Sequence, residues 1–250
     1  YLHDKVEFDV VFTVLDFNFD EEFKKRYPKL LTSEEFKDLK FALKNLTIDA
    51  VVDNSLQDSL TKIGFLSAIQ KRKTNYNKSS FTLADRISTL LEECSEFGTL
   101  PFSVLARHGF IAESLLRSAV KNNVLSEERL NLFRRSVETV SGEMSSDYTK
   151  VKNGTLSKSS YLGKYGHLRP SSYDILSPNY NNRSTLFDGS EQSFPEQIQK
   201  EIFELSTTEI EGIDQLIALH FDSAFSALEF FSYTEEAIKQ RQALRHHPRV

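Results

Sequence analysis

The stretch Lys164-Tyr165-Gly166-His167-Leu168-Arg169-Pro170-Ser171-Ser172-Tyr173-Asp174-Ile175-Leu176-Ser177-Pro178 gathers a base, a guanidinium, a carboxylate, hydroxyls and two tyrosines into fifteen consecutive residues. It cannot be continuous helix. Pro170 removes a backbone donor and drives Arg169 toward extended φ/ψ. Ordered loops with side chains able to hold anions or move protons are better candidates for function than core helices. The functional reading is a substrate-facing loop. The structural alternative is a crossover in which Arg169 and Asp174 satisfy each other or nearby backbone, since ion pairs of that kind are common.

The pattern Tyr-Gly-His-Leu-Arg-Pro-x-x-Tyr-Asp-Ile-x-Ser-Pro-x-Tyr over residues 165–180 resembles a signature in the central region of phosphoenolpyruvate-synthase-like phosphotransferases, a group that includes the rifampin phosphotransferases. Val6-Glu7-Phe8-Asp9-Val10-Val11-Phe12-Thr13 through Asp20, and Leu105-Ala106-Arg107-His108-Gly109-Phe110-Ile111-Ala112, are similar to the same region, so the likeness covers most of residues 6–180. It implies a parent enzyme of three parts: an ATP-grasp unit, a swivelling domain bearing a phosphohistidine, and a region that binds the acceptor. ATP and Mg belong to the parent, with no cofactor in this segment. The adjacent ATP-grasp and phosphohistidine domains and a small-molecule acceptor are the implied partners. Neither the nucleotide pocket nor the Thr-x-x-Gly-Gly…Ser-His context is present here, and none of His3, His108, His167, His220, His246 or His247 has that setting. The expectation is a central helical region that does not turn over alone. Within the resemblance, Arg169 is the anion contact, because guanidinium grips phosphate or carboxylate in bidentate fashion. His167 orients or deprotonates an acceptor hydroxyl, Asp174 fixes its tautomer or pairs with Arg169, and Tyr173 lines the pocket. Leu168 stands where the rifampin-type pattern has Arg, and Ser171-Ser172 replace its Gly-containing turn, so the rifampin substrate is not implied. The alternative from another class is a non-catalytic helical interaction or scaffold module.

The elements that must position these residues are mostly helices. Thr32-Ser33-Glu34-Glu35 and Ser206-Thr207-Thr208-Glu209 match capping boxes. Apolar stripes at spacings of three and four follow: Phe36, Leu39, Leu43 and Leu46, then Leu56 to Ile69 within a helix over 56–71, then Leu83, Ile87, Leu90, Leu91 and Cys94, ending at Phe97-Gly98. On that stripe Cys94 reads as a buried, inert thiol. Pro101 opens a helix over 102–120 with a wide apolar face, and His108 inside it reads as a hydrogen-bonded structural residue. Ser126 caps a helix carrying Leu130, Phe133, Val137, Val140 and Met144 as far as Asn153-Gly154, packed back on its predecessor as an antiparallel hairpin. A short helix over 155–164 leads into the organising loop. Helices are expected again at Ile198–Leu205, from Ser206 through Phe221, and over 224–244.

Residues 6–19 are the exception. Val6, Phe8, Val10, Phe12 and Val14 alternate, and Leu15, Phe17 and Phe19 continue after a slip of one, which predicts a strand or hairpin. Asp9, Asp16 and Asp20 read as solvated strand residues rather than metal ligands. The fold expected is therefore mainly α: a multi-helix, bundle-like domain with a short N-terminal β-strand or hairpin and a long ordered loop near residues 164–193. Residues 1–180 form the central helical domain, 181–193 a linker, and 194–250 C-terminal helices that pack on it or lead to a missing domain.

Composition narrows the classes. A formal charge of −5 and a pI near 5.8 argue against a large nucleic-acid or anionic-membrane face. One cysteine, Cys94, forms no internal disulfide, and no Cys/His cluster has zinc spacing, so no metal site is expected and a reducing cytoplasm is. No apolar run approaches the roughly 20 residues that span a bilayer. Residue 1 is Tyr and Met144 is the single methionine, which predicts a fragment or processed product.

Overall fold

In the computed structural model, residues 12, 14–53, 55–63, 82–138, 140–168, 176–183, 187 and 202–245 are described, and they are mainly helical. The helices run α1 (Phe19–Arg26), α2 (Ser33–Val52), a helical stretch over 55–63, α3 (Leu83–Cys94), a π-turn (Ser95–Thr99), α4 (Leu100–Lys121), α5 (Glu127–Ser136), α6 (Val140–Lys152), α7 (Lys158–Tyr165), a 3-10 turn (Tyr180–Asn182), α8 (Thr207–Phe221) and α9 (Ala227–Arg245). No described helix is long and apolar enough to cross a membrane. The described residues fall into two compact units, one comprising those up to Arg134 with Glu204–Arg241, the other those from Arg135 to Phe203 with the chain after Arg241.

The first unit is built around α4, which buries Leu105, Ile111, Ala112, Leu115, Leu116 and Ala119 on a face wide enough to meet several neighbours. Both predicted capping boxes form. Thr32 Oγ1 accepts from Glu35 N while Thr32 N donates to the Glu35 carboxylate, and Ser206 and Glu209 repeat the exchange at α8. Glu209 also receives Arg129 in bidentate fashion, Nε to Oε1 at 2.7 Å and a terminal nitrogen to Oε2 at 2.8 Å, tying α5 to the start of α8. Arg134 on α5 donates to Glu113 on α4, as the expected antiparallel hairpin requires. Asn123, at φ 58°, sits in the left-handed turn between the two helices.

The N-terminal strand is not found. Among the described residues there is no strand: Val14 to Asn18 form a bend and turn, and Phe19 already opens α1. Residues 1–11 and 13, with most of the alternation, lie outside the described residues. The backbone donors that a strand would pair are satisfied otherwise. Leu15 N donates to buried Thr47 Oγ1 at 3.1 Å, and Phe17 N to buried Ser118 Oγ at 3.3 Å. Phe19 and Phe23 then follow helical spacing, with acidic Asp20-Glu21-Glu22 in the first turn of α1 and Lys24-Lys25-Arg26 in the last, matching the helix dipole. An aromatic cluster of Phe12, Phe19, Phe23, Tyr27 and Phe36 results, with ring centroids 5.2–6.1 Å apart.

Three further boundaries differ from the periodicity. α3 does not stop at Gly98 but runs through the π-turn into α4, one extra residue being taken up within a continuous helix. Cys94 on α3 is exposed, not buried, because no residue of that helix is buried. The helix expected from Ser126 to Asn153 is broken at Val137-Glu138 into α5 and α6. Residues 202–206 are not helical, and residues 64–71 and 198–201 lie outside the described residues.

Candidate functional site

The organising stretch belongs to the second unit, and its two ends are fixed. Ser157 caps α7, its Oγ accepting from Ser160 N at 3.1 Å. One helical turn apart, Tyr161 and Tyr165 face the same side and pack with Met144 and Tyr148 from α6 and Tyr180 from the 3-10 turn. The Tyr161 and Tyr165 rings lie 4.9 Å apart, and Tyr148 stacks on Phe187 at 5.8 Å. Past α7 the chain turns, with Leu168 N donating to Tyr165 O at 2.9 Å. It returns to the same place: Tyr180 N donates to Leu168 O and Asn181 N to Gly166 O, each at 2.9 Å. Two backbone hydrogen bonds thus hold Tyr180 and Asn181 against Leu168 and Gly166.

Gly166 is demanded by that closure. Its φ of −60° suits any residue, but a Cβ there would fall on Asn181 Oδ1 and on the Leu162 carbonyl oxygen. The glycine of the motif therefore serves close approach, and Tyr165 and Tyr180, its flanking tyrosines, are core anchors at 2% and 5% exposure.

Beside this pairing lies a charged network. Tyr165 Oη donates to Asp147 Oδ2 at 2.9 Å, Lys150 Nζ to Oδ1 at 2.9 Å, and Lys164 Nζ to Oδ2 at 3.3 Å, while Lys164 also reaches Glu143. Burial works to raise the Asp147 pKa, yet the hydrogen bonds from Lys150, Tyr165 and Lys164 prevail and hold it below the ordinary carboxylate value. Burial, with the Asp147 charge alongside, pushes the Tyr165 phenol up to about 12. The Tyr161 hydroxyl is buried with no hydrogen-bond partner, and burial raises its pKa as well.

Of the sequence-predicted site residues, His167 is half-buried immediately after Gly166, next to the closure. Arg169, Tyr173 and Asp174 lie outside the described residues. Asn181 and Asp147 were not singled out from sequence, while Lys164, Leu168 and Tyr180 stand in the motif without the roles the structure gives them. Asn181 follows the motif's last tyrosine, a position from which contact with Gly166 could have been sought.

The first unit holds a second polar cluster. His108, 4% exposed within the apolar face of α4, shares hydrogen bonds with Ser55 Oγ through Nε2 at 3.1 Å and with Tyr233 Oη through Nδ1 at 3.0 Å. Burial, and secondarily the charge of Arg107, depress the His108 pKa, so the ring is neutral at pH 7. Tyr233 also lines an open cleft of about 510 Å³ with Asp53, Leu56, Leu228, Glu229 and Glu236. Its phenol is fully protonated, its pKa raised by burial. The cluster is a satisfied buried histidine, as its setting in the sequence predicts, but its partners are 53 and 125 residues away and no local pattern announces them. Among the described residues no group of three His, Cys, Asp or Glu side chains is placed to hold a metal.

Comparison with protein-family models, with curated proteins and with solved structures gives no match.

Proposed function

We propose that the chain is the central helical region of a phosphoenolpyruvate-synthase-like, ATP-dependent phosphotransferase of the cytoplasm, contributing acceptor binding and interdomain docking. Phosphate is relayed through a phosphohistidine on an adjoining domain, and ATP with Mg is handled by an ATP-grasp domain. The observation that supports this reading is the pairing of the motif's two flanks. Gly166 and Leu168 on one side of the motif and Tyr180 and Asn181 on the other meet through backbone hydrogen bonds beside the tyrosine core. Anchored flanks of this kind lower the entropic cost of positioning an acceptor between them. On this reading Arg169 takes the phosphate or carboxylate, His167 orients or deprotonates the acceptor hydroxyl, Asp174 steadies one of them, and Tyr173 lines the pocket. The reading frame on either side of this segment in its source DNA tests it. An ATP-grasp sequence before and a Gly-Gly…Ser-His domain after are the expected result; a start codon just before Tyr1 with a stop just after Val250 overturns it as an active enzyme.

The second reading, a non-catalytic helical interaction module, is favoured by one observation. The apolar stripe of α3 faces solvent, with Leu83 at 72% and Leu91 at 66% exposure. Large exposed apolar stripes mark association sites.

A further inference from the structure

α3 carries Leu83, Ile87, Leu90 and Cys94 at spacings of four, three and four, the d-a-d-a rhythm of a coiled-coil seam. All four face solvent, Ile87 at 51% and Leu90 at 41% exposure, and no residue of the helix is buried. α3 is propagated from buried α4 through the π-turn, so it is helical with its apolar seam uncovered. The Thr82–Asp85 capping box starts the helix and the π-turn joins it to buried α4, so the seam is held out from a fixed support.

The charges beside the seam select the occupant. In the heptad frame Arg86 and Glu93 are the g positions, while the e positions, Ala84 and Leu91, are uncharged. A parallel pairing sets g against e and leaves both charges facing apolar groups. An antiparallel two-fold pairing sets g against g. Ile87 then meets Leu90 of the second copy, Leu83 meets Cys94 of the second copy, and Arg86 meets Glu93 of the second copy, twice by symmetry. The e positions contribute an Ala84–Leu91 contact on the other flank. The two helix dipoles also oppose one another, which is favourable. A guanidinium has five donors, so Arg86 can hold Glu93 of the second copy while serving other acceptors.

We propose that α3 is a self-association surface, covered by α3 of a second copy of this chain in an antiparallel, isologous pair. Its self-complementary charge pattern is what a two-fold interface requires. Three helical turns bury less than the standard protein interface, so the dimer is weak and reversible.

Sedimentation velocity on the 250-residue chain, across roughly 1–200 µM, the range a small interface of this kind populates, reads the outcome. The expected result is a shift from a 28.7 kDa species toward twice that mass as concentration rises. Ile87→Glu holds the chain monomeric. Arg86→Glu and Glu93→Arg each weaken the dimer by about tenfold or more, since each sets like charges against one another twice. An equimolar mixture of the two single variants associates more strongly than either alone, because every g–g pair across the mixed interface is then opposite in charge. Arg86 and Ile87 are exposed and Glu93 is half-buried, none of them in the core, so the variants keep the helical circular dichroism of the parent. A chain monomeric throughout, as when another segment or an adjoining domain covers the seam, overturns the proposal. So does a dimer indifferent to the three substitutions, or a mixture no tighter than its components. The phosphotransferase reading stands or falls separately, on the flanking reading frame.

Discussion

Gly166 stands where the returning chain crosses the end of α7, and the space for a Cβ is already taken by Asn181 and the Leu162 carbonyl. Gly166→Ala is expected to lower stability by roughly 1–3 kcal/mol through overpacking, with part of the loss recovered when Asn181→Ala is added; urea unfolding of the single and double variants measures both. Asp147 and Tyr165 give the same unit its pH limits. The folded pKa of Asp147 lies below its ordinary value of 3.8, so its contribution is complete above that value and is lost as pH falls through the folded pKa. Asp147→Asn therefore flattens the acid limb of the stability curve. Tyr165 is opposite in sign. Its pKa rises from 10.0 to about 12, so its contribution is full below pH 10 and disappears as pH climbs through 12. Tyr165→Phe removes that alkaline limb, read by thermal unfolding from neutral to high pH. In the other unit, His108 has a folded pKa below 6.5, so the unfolded chain binds the proton better and stability falls as pH drops below 6.5. His108→Leu leaves Ser55 and Tyr233 without their shared partner and costs about 2 kcal/mol.

Elements were legible wherever local chemistry decided them. The Thr32 and Ser206 capping boxes, Pro101 at the start of α4 and the apolar face through Leu105, Ile111, Ala112 and Leu116 are properties of neighbours in sequence, and all are present in the fold. The misjudged elements were settled by distant groups. Alternation ending at Phe19 reads as strand, but Thr47 and Ser118 satisfy the backbone that a strand partner would have paired, and Phe19 joins a helix. The apolar stripe of α3 reads as buried, since periodicity reports which residues share a face and not whether anything covers it. At the candidate site Gly166, Leu168 and Tyr180 stand in the motif itself, while Asn181, Asp147 and the Ser55–Tyr233 bracket around His108 depend on tertiary approach. Glu209 illustrates both levels: its cap was visible, its bidentate Arg129 was not. Arg129→Lys keeps the charge and loses the fork, and is expected to destabilise the α5–α8 junction by roughly 1–3 kcal/mol, with amide exchange accelerating at the start of α8.

At the scale of the molecule, the described residues form two compact units, one built on α4 and the other around a tyrosine core. Substitutions in the two cores share no partners, so His108→Leu and Gly166→Ala together are expected to sum to within about 0.5 kcal/mol, as equilibrium unfolding of the double variant reads. The central proposal is that the motif stretch binds an anion through Arg169. Titration of the isotopically labelled chain with phosphoenolpyruvate, followed by amide NMR, tests it most directly. The account predicts saturable shifts at Gly166, His167, Leu168, Tyr180 and Asn181, absent at α3, and abolished by Arg169→Ala while the fold is kept. Unmoved amides around the loop at millimolar ligand, or shifts that persist in Arg169→Ala, would contradict it.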